Sequence, residues 1–194
     1  MSVGVADSTD LVFSVPLCYF RVLENDQKVV NRVGLGDILV EAKWRALTYD
    51  SFSFAVKPSV FLPTGDDALG FGTGKPGFGI SLIGSQDLGA LQLHTEATYL
   101  HTPYAQDETA ETTRSDNWEF SVAAAYEAAP GFQVVGELGM AKNLNKASRT
   151  WPAFISGGVI YTVTEGLDLD LGVRGALNRV ETDYAILAGV TTSF

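Results

Sequence analysis

Apolar and polar side chains trade places along this chain with a period of two, and no segment carries a capped 3.6-residue apolar stripe. Eleven strands follow, over roughly 2–6, 10–22, 35–47, 51–63, 76–85, 89–101, 117–127, 131–142, 151–163, 167–178 and 183–194. The Ala-rich run Glu119–Ala129 is the one helical temptation, because Ala is the best helix former. Yet Trp118, Phe120, Val122, Ala124 and Tyr126 alternate with Glu119, Ser121, Ala123, Ala125 and Glu127, which predicts a strand. The pattern predicts an all-β protein.

The connections alternate as well. Ala6–Asp10, Thr48–Asp50, Gln86–Gly89, Ala129–Gly131 and Glu165–Leu167 are tight, most of them with turn-forming Gly, Asp, Pro or Ser. Between them lie the longer, polar Leu23–Gly34, Pro63–Pro76, Thr102–Asn117, Asn143–Thr150 and the shorter Asn178–Asp183. Short turns at one end and long loops at the other are the layout of an antiparallel up-and-down transmembrane barrel. A soluble sandwich gives the same alternation along a strand but has little reason to keep that parity.

One strand face is apolar and the other charged: Ile38, Val40, Ala42 and Trp44 oppose Glu41, Lys43 and Arg45, for example. Large aromatics (Tyr19, Trp44, Phe52, Tyr99, Trp118, Tyr126, Trp151, Tyr161) fall near strand ends, where interfacial girdles would place them. The strands are long enough to cross a bilayer at a tilt, which takes about 9–11 residues. The final strand, Tyr184–Phe194, alternates to its last residue and ends on an aromatic. A free apolar edge of that kind suits a closed barrel, where the last strand pairs with the first.

Composition narrows the reading without redirecting it. The 194 residues make one expected domain over 1–194, with mean hydropathy +0.12 and no apolar run of transmembrane-helix length. A net charge of −10 argues against a nucleic-acid partner. Cys18 is alone, so neither a disulfide framework nor a zinc cluster is expected, and it reads as a small interior side chain. Met1 is followed by SVGVADSTDLVFSV, which has no basic region, apolar core or cleavage site of a signal peptide. Bacterial single-chain barrels have even strand numbers, so Met1 is read as an internal start, with a signal peptide and the rest of the first strands upstream.

Candidate chemistry is sparse. Thr73-Gly74-Lys75 sits in a glycine-rich loop, but Pro76 follows the lysine, so the phosphate-binding pattern fails. The pair Asp66–Asp67 reads as solvated. His94 and Glu96 share a strand face, whereas His101 lies on the opposite one by parity. A lumenal network of His94 with Lys43, Arg45 or Lys57 is the expectation, and no Ser–His–Asp arrangement is suggested. No cofactor, metal site or catalytic residue is nominated.

The run Val33–Arg45 resembles the "GLGD…KYR" strand of the outer-membrane transporter-like family labelled "MetA-pathway of phenol degradation". Lys57–Asp66, followed by Gly72-Thr73-Gly74, resembles its "PTGD…GTG" strand and loop, and Val3–Leu11 its "YGLTDRLEL" hairpin; the chain carries Ala6-Asp7-Ser8 where the family prefers Gly-Leu-Thr. The resemblance implies an outer-membrane barrel of about 12 strands in a Gram-negative bacterium and passage of aromatic or other hydrophobic compounds. It also implies outer-membrane lipid, lipopolysaccharide and the assembly machinery as partners. Phe194 resembles the terminal aromatic that this machinery reads, although Thr192 replaces the aromatic often found two residues earlier.

The expected function is a passive outer-membrane channel, not an enzyme. Its lumen-lining residues are expected to be Glu41, Lys43, Arg45, Lys57, His94, Glu96, Glu137, Asp168, Asp170 and Arg174. A non-conducting structural or adhesive barrel, presenting acidic loops such as Gln106–Glu111, is the alternative. A rim-active hydrolase is a distant third.

Overall fold

A computed structural model describes residues 2–24 and 27–192. Five strands open the chain: β1 (Ser2–Ala6), β2 (Thr9–Ser14), β3 (Leu17–Glu24), β4 (Gln27–Leu35) and β5 (Ile38–Tyr49). There follow β6 (Phe52–Leu62), β7 (Gly77–Asp87), β8 (Leu91–His101), a short helix α1 (Asp107–Thr112), β9 (Asp116–Ala129) and β10 (Phe132–Ala141). Three more, β11 (Ala153–Thr164), β12 (Leu167–Ala176) and β13 (Tyr184–Thr192), complete the described chain. Eleven of the strands form one antiparallel sheet, ordered β1-β2-β5-β6-β7-β8-β9-β10-β11-β12-β13, and each pairs with its neighbour in that sequence. This is an up-and-down meander with β1 and β13 at its edges.

The tight turns have a common device. Asp50 (φ 51°), Gly89 (81°), Gly131 (73°) and Gly166 (85°) each take the left-handed conformation in the turns after β5, β7, β9 and β11. Glycine adopts it freely, and Asp is among the few other residues that tolerate it. With the β1–β2 turn, five short turns lie at one end, and the segments 63–76, 102–115, 142–152 and 177–183 lie at the other.

Two expectations need correction. The strand expected over 10–22 breaks at Val15–Pro16, because Pro16 has no N–H for the ladder. The chain then resumes as β3, and the expected loop Leu23–Gly34 is largely β4; together they make a separate two-stranded ribbon. Val29, Val30 and Val33, β-branched residues suited to strands, were the overlooked signal. Helix α1 was not expected either. It is brief, lacks a side-chain cap, and carries Asp107 and Glu108 in its first turn, where the helix dipole favours negative charge.

The apolar face points outwards. Leu171 is 57% exposed, Val173 62%, Ile186 73% and Val190 67%, and among the described residues only Ala55 and Phe71 count as buried apolar residues. A sandwich hides such side chains between two sheets, so that alternative fails. Residues of seven strands, β2 and β5 to β10, line one cavity of about 430 Å³. The polar face is therefore the concave one. Aromatics mark both margins of the outer face, with Trp44, Phe52, Tyr126 and Tyr161 towards the turn end and Trp118 and Trp151 towards the loops.

Candidate functional site

Ladder register decides which side chains share the interior. Glu41 lies opposite Ser59, Arg45 opposite Ala55, Lys57 opposite Ser81, and Glu96 opposite Ser121. His94 faces Ala123, Glu137 faces Ser156, and Ser156 faces Arg174; Asp170 and Asp168 face Ile160 and Thr162. With Lys43 opposite Asp10, all ten expected residues fall on the concave face.

Several of them meet. Lys57 Nζ lies 3.2 Å from Glu41 Oε1 and 3.4 Å from Glu96 Oε1, which links β5, β6 and β8 across the concavity. Arg174 reaches Glu181 of the β12–β13 loop at 3.1 Å, and its guanidinium carbon sits 3.4 Å from the centroid of the Phe154 ring. Thr162 donates to Asp168 at 2.6 Å, and Ser156 to Glu137 at 3.4 Å. Arg45 instead donates to the backbone carbonyl of Asp7 at 2.9 Å, in the β1–β2 turn. His94 does not join the cations as expected: its Nδ1 bonds Ser85 Oγ at 2.8 Å. Among the described residues no carboxylate reaches the other ring nitrogen, so this pair lacks the orienting third group of a hydrolytic triad.

His101 lies on the outer face, as parity requires. Its Nδ1 is 2.9 Å from Asp116 Oδ1, which also accepts from the Tyr99 hydroxyl at 2.6 Å. The Phe78 and His101 rings are 5.0 Å apart, as are those of Tyr99 and Trp118. Together they form a polar-tipped aromatic patch at the loop end, where one side of each ring is wet.

Two further residues share the concave face with these ten, Glu119 and Phe154. Glu119 alternates correctly in the sequence and lines a cavity with Glu96, Glu137, Phe154 and Arg174. It accepts from Asn117 Nδ2 at 3.2 Å, while Thr98 donates to Glu96 at 3.3 Å and shares a 2.7 Å bond with Ser81. Phe154 was harder to place, because both faces of Ala153–Thr164 are apolar. Pairing with β12, which puts Phe154 opposite Ala176 and in line with Arg174, resolves it.

The glycine-rich loop Pro63–Pro76 forms a clamp rather than a ligand cradle. Asp37 Oδ1 accepts from the Gly65 amide at 3.0 Å, and Oδ2 from the Thr73 amide and hydroxyl, both at 2.8 Å. Thr64 Oγ1 accepts from the Ile38 amide at 3.0 Å and donates to the Gly36 carbonyl at 3.2 Å. Phe71 is buried beneath: a Cβ at Gly34 would lie 2.6 Å from its ring. Gly34–Asp37 of β4–β5 and Pro63–Gly74 of the loop are thus two halves of one interlock. Asp66 caps the turn by accepting from the Leu69 amide at 3.0 Å, so the acidic pair is partly structural.

The bonding continues round the rim. The Ala105 amide donates to Thr73 O at 2.8 Å, and Gln106 Nε2 donates to Asp67 O. Arg114 then donates to the carbonyls of Asn143 (3.1 Å), Lys146 (2.9 Å) and Ser148 (3.4 Å) in the next loop. Asn178 Nδ2 closes the series on Trp151 O at 2.7 Å. Each long loop holds the following one.

Residues 3–194 match the family described as "Putative MetA-pathway of phenol degradation". The chain belongs to that family. The interlocked segments are those that carried the resemblance to it, so the family's most specific residues here are architectural. No curated protein sequence matches the chain. Among solved structures it is similar to the NanC porin, at 12% identity and TM-score 0.70, over 100% of this chain and 90% of that one. This MetA-pathway family member therefore has a porin-like fold. Phe194, the expected assembly signal, lies outside the described residues.

Proposed function

We propose that the protein is a passive outer-membrane channel for small solutes, aromatic or hydrophobic compounds among them, held in the bilayer by its outward apolar face. The carrying observation is the concave polar face, whose charged side chains line a cavity shared by seven strands. The porin fold supports a channel rather than an enzyme, and the family's description supports aromatic cargo. Barrels of about 8 strands are filled by side chains and those of about 16 hold open pores; an eleven-stranded wall falls between. The Lys57 bridge and the inward Glu181 narrow this lumen, which favours small solutes. The same contacts are the observation behind the second reading, a non-conducting structural barrel. Planar-bilayer recordings on the reconstituted protein separate the two. Discrete conductance steps and liposome swelling by small solutes are expected; their joint absence would sink the channel.

A further inference from the structure

One lumenal cavity differs from the rest. Between β9 and β13 lies a space of about 340 Å³ walled by Ala123, Val135, Ile160 and Leu187. Its floor is bare backbone at Gly158 and Gly172, which pair directly across β11 and β12. A Cβ at Gly158 would come within 2.7 Å of Leu171 O, so no side chain can fill this floor without moving the strands. Glu137 and Asp170 line the same space. Glu137 is held by a neutral donor, Ser156, and among the described residues neither carboxylate has a cationic nitrogen within ion-pair distance. The result is a flat apolar surface beside two carboxylates that, among the described residues, have no cation at ion-pair distance.

That chemistry selects its ligand. An apolar cavity of about 150 Å³ already accepts benzene, so this one has room for one ring and a short substituent. A cationic amine would meet Glu137 or Asp170 through a charge-assisted hydrogen bond, whereas a carboxylate or phenolate would be repelled. Resting on the channel reading above, we infer that this glycine-floored pocket is a solute-binding subsite for small cations with a flat apolar body, of the arylalkylammonium class. Glu137 and Asp170 are its charge-reading residues, and Val135, Ile160 and Leu187 its apolar contacts. The mid-lumen carboxylates Glu96 and Glu119 enrich cations on the way to it.

The test is solute-induced blockade of potassium current through the reconstituted protein, with benzylammonium and benzoate as matched probes. Benzylammonium should interrupt the current and benzoate should not. Glu137→Gln with Asp170→Asn should raise the half-blocking concentration about tenfold. Val135→Trp, which fills the pocket and leaves both carboxylates, should weaken blockade as well. Equal blockade by both probes, or blockade unchanged in both variants, overturns the subsite and leaves the channel standing. Absence of any conductance overturns both. If the variants do not fold, methylammonium on the unaltered protein decides: benzylammonium should block at lower concentration, and equal blockade by the two cations overturns the subsite.

Discussion

Asp37→Asn isolates the clamp behind the family motif. The carboxylate makes three hydrogen bonds, one from Gly65 and two from Thr73. Asparagine keeps one acceptor oxygen, so it can satisfy Gly65 or Thr73 but turns a donor towards the other. Bonds to a charged group contribute about 1.5–3 kcal/mol each when desolvated. Asp37 is half-buried, so losing the Thr73 pair should cost roughly 2–3 kcal/mol of loop closure, or about 30–150-fold in the opening equilibrium. Amide hydrogen exchange in detergent micelles reads that number directly. Thr73 protection should fall by that factor, while the ladder amides of Val56 and Leu93 stay protected. Unchanged Thr73 exchange would refute the clamp; a uniform loss across the sheet would show that Asp37 supports the whole wall instead.

Further perturbations probe the rest of the molecule. Gly34→Ala puts a methyl group 2.6 Å from the Phe71 ring, so Phe71 should be expelled and limited proteolysis should cut within 66–71 as readily as in Phe71→Ala. Reversal potentials under a potassium chloride gradient should show cation preference, because Glu41, Glu96, Glu119 and Glu137 outnumber Lys43, Lys57 and Arg174 in the two cavities they line. That preference should fade near 1 M salt, where the screening length drops to about 3 Å. Lys57→Met should strengthen it by freeing Glu41 and Glu96; a weaker cation preference would count against the lumenal assignment. Arg174→Met removes the partner of Glu181, so cleavage after Glu181 by a glutamate-specific protease should accelerate, and an unchanged rate would show that the loop is held elsewhere.

The wall of this fold was legible because its signal is periodic. Leu167, Leu169, Leu171 and Val173 against Asp168, Asp170 and Arg174 need no tertiary information to assign a face. Loop parity was legible for the same reason. What escaped depends on contacts between distant segments. Asp37 looks like an ordinary turn residue until the loop 63–76 folds back over it, and its partners lie 28 and 36 positions away. Arg114, which holds three carbonyls, and Glu181, the partner of Arg174, sit in segments whose polar composition suggests only solvation. Pro16 announced a break, but β4 lay beyond it in a stretch where charge outweighed the β-branched signal. The glycine floor at Gly158 and Gly172 becomes visible only when register aligns two glycines that the sequence separates.

Mechanically, the chain of bonds from Asp37 to Asn178 is a strap along one end of the wall. Radial strain at the loop end is shared from loop to loop, whereas the short turns at the other end bond to the ends of adjacent strands, as Asp7 and Ser8 do to Arg45 and Ser51 to Gln86 and Asp87. The mouth should therefore keep its diameter while the opposite end flexes. A loop exchanged singly would break its bonds to both neighbours, so grafts should be resisted at Thr73, Arg114 or Asn178.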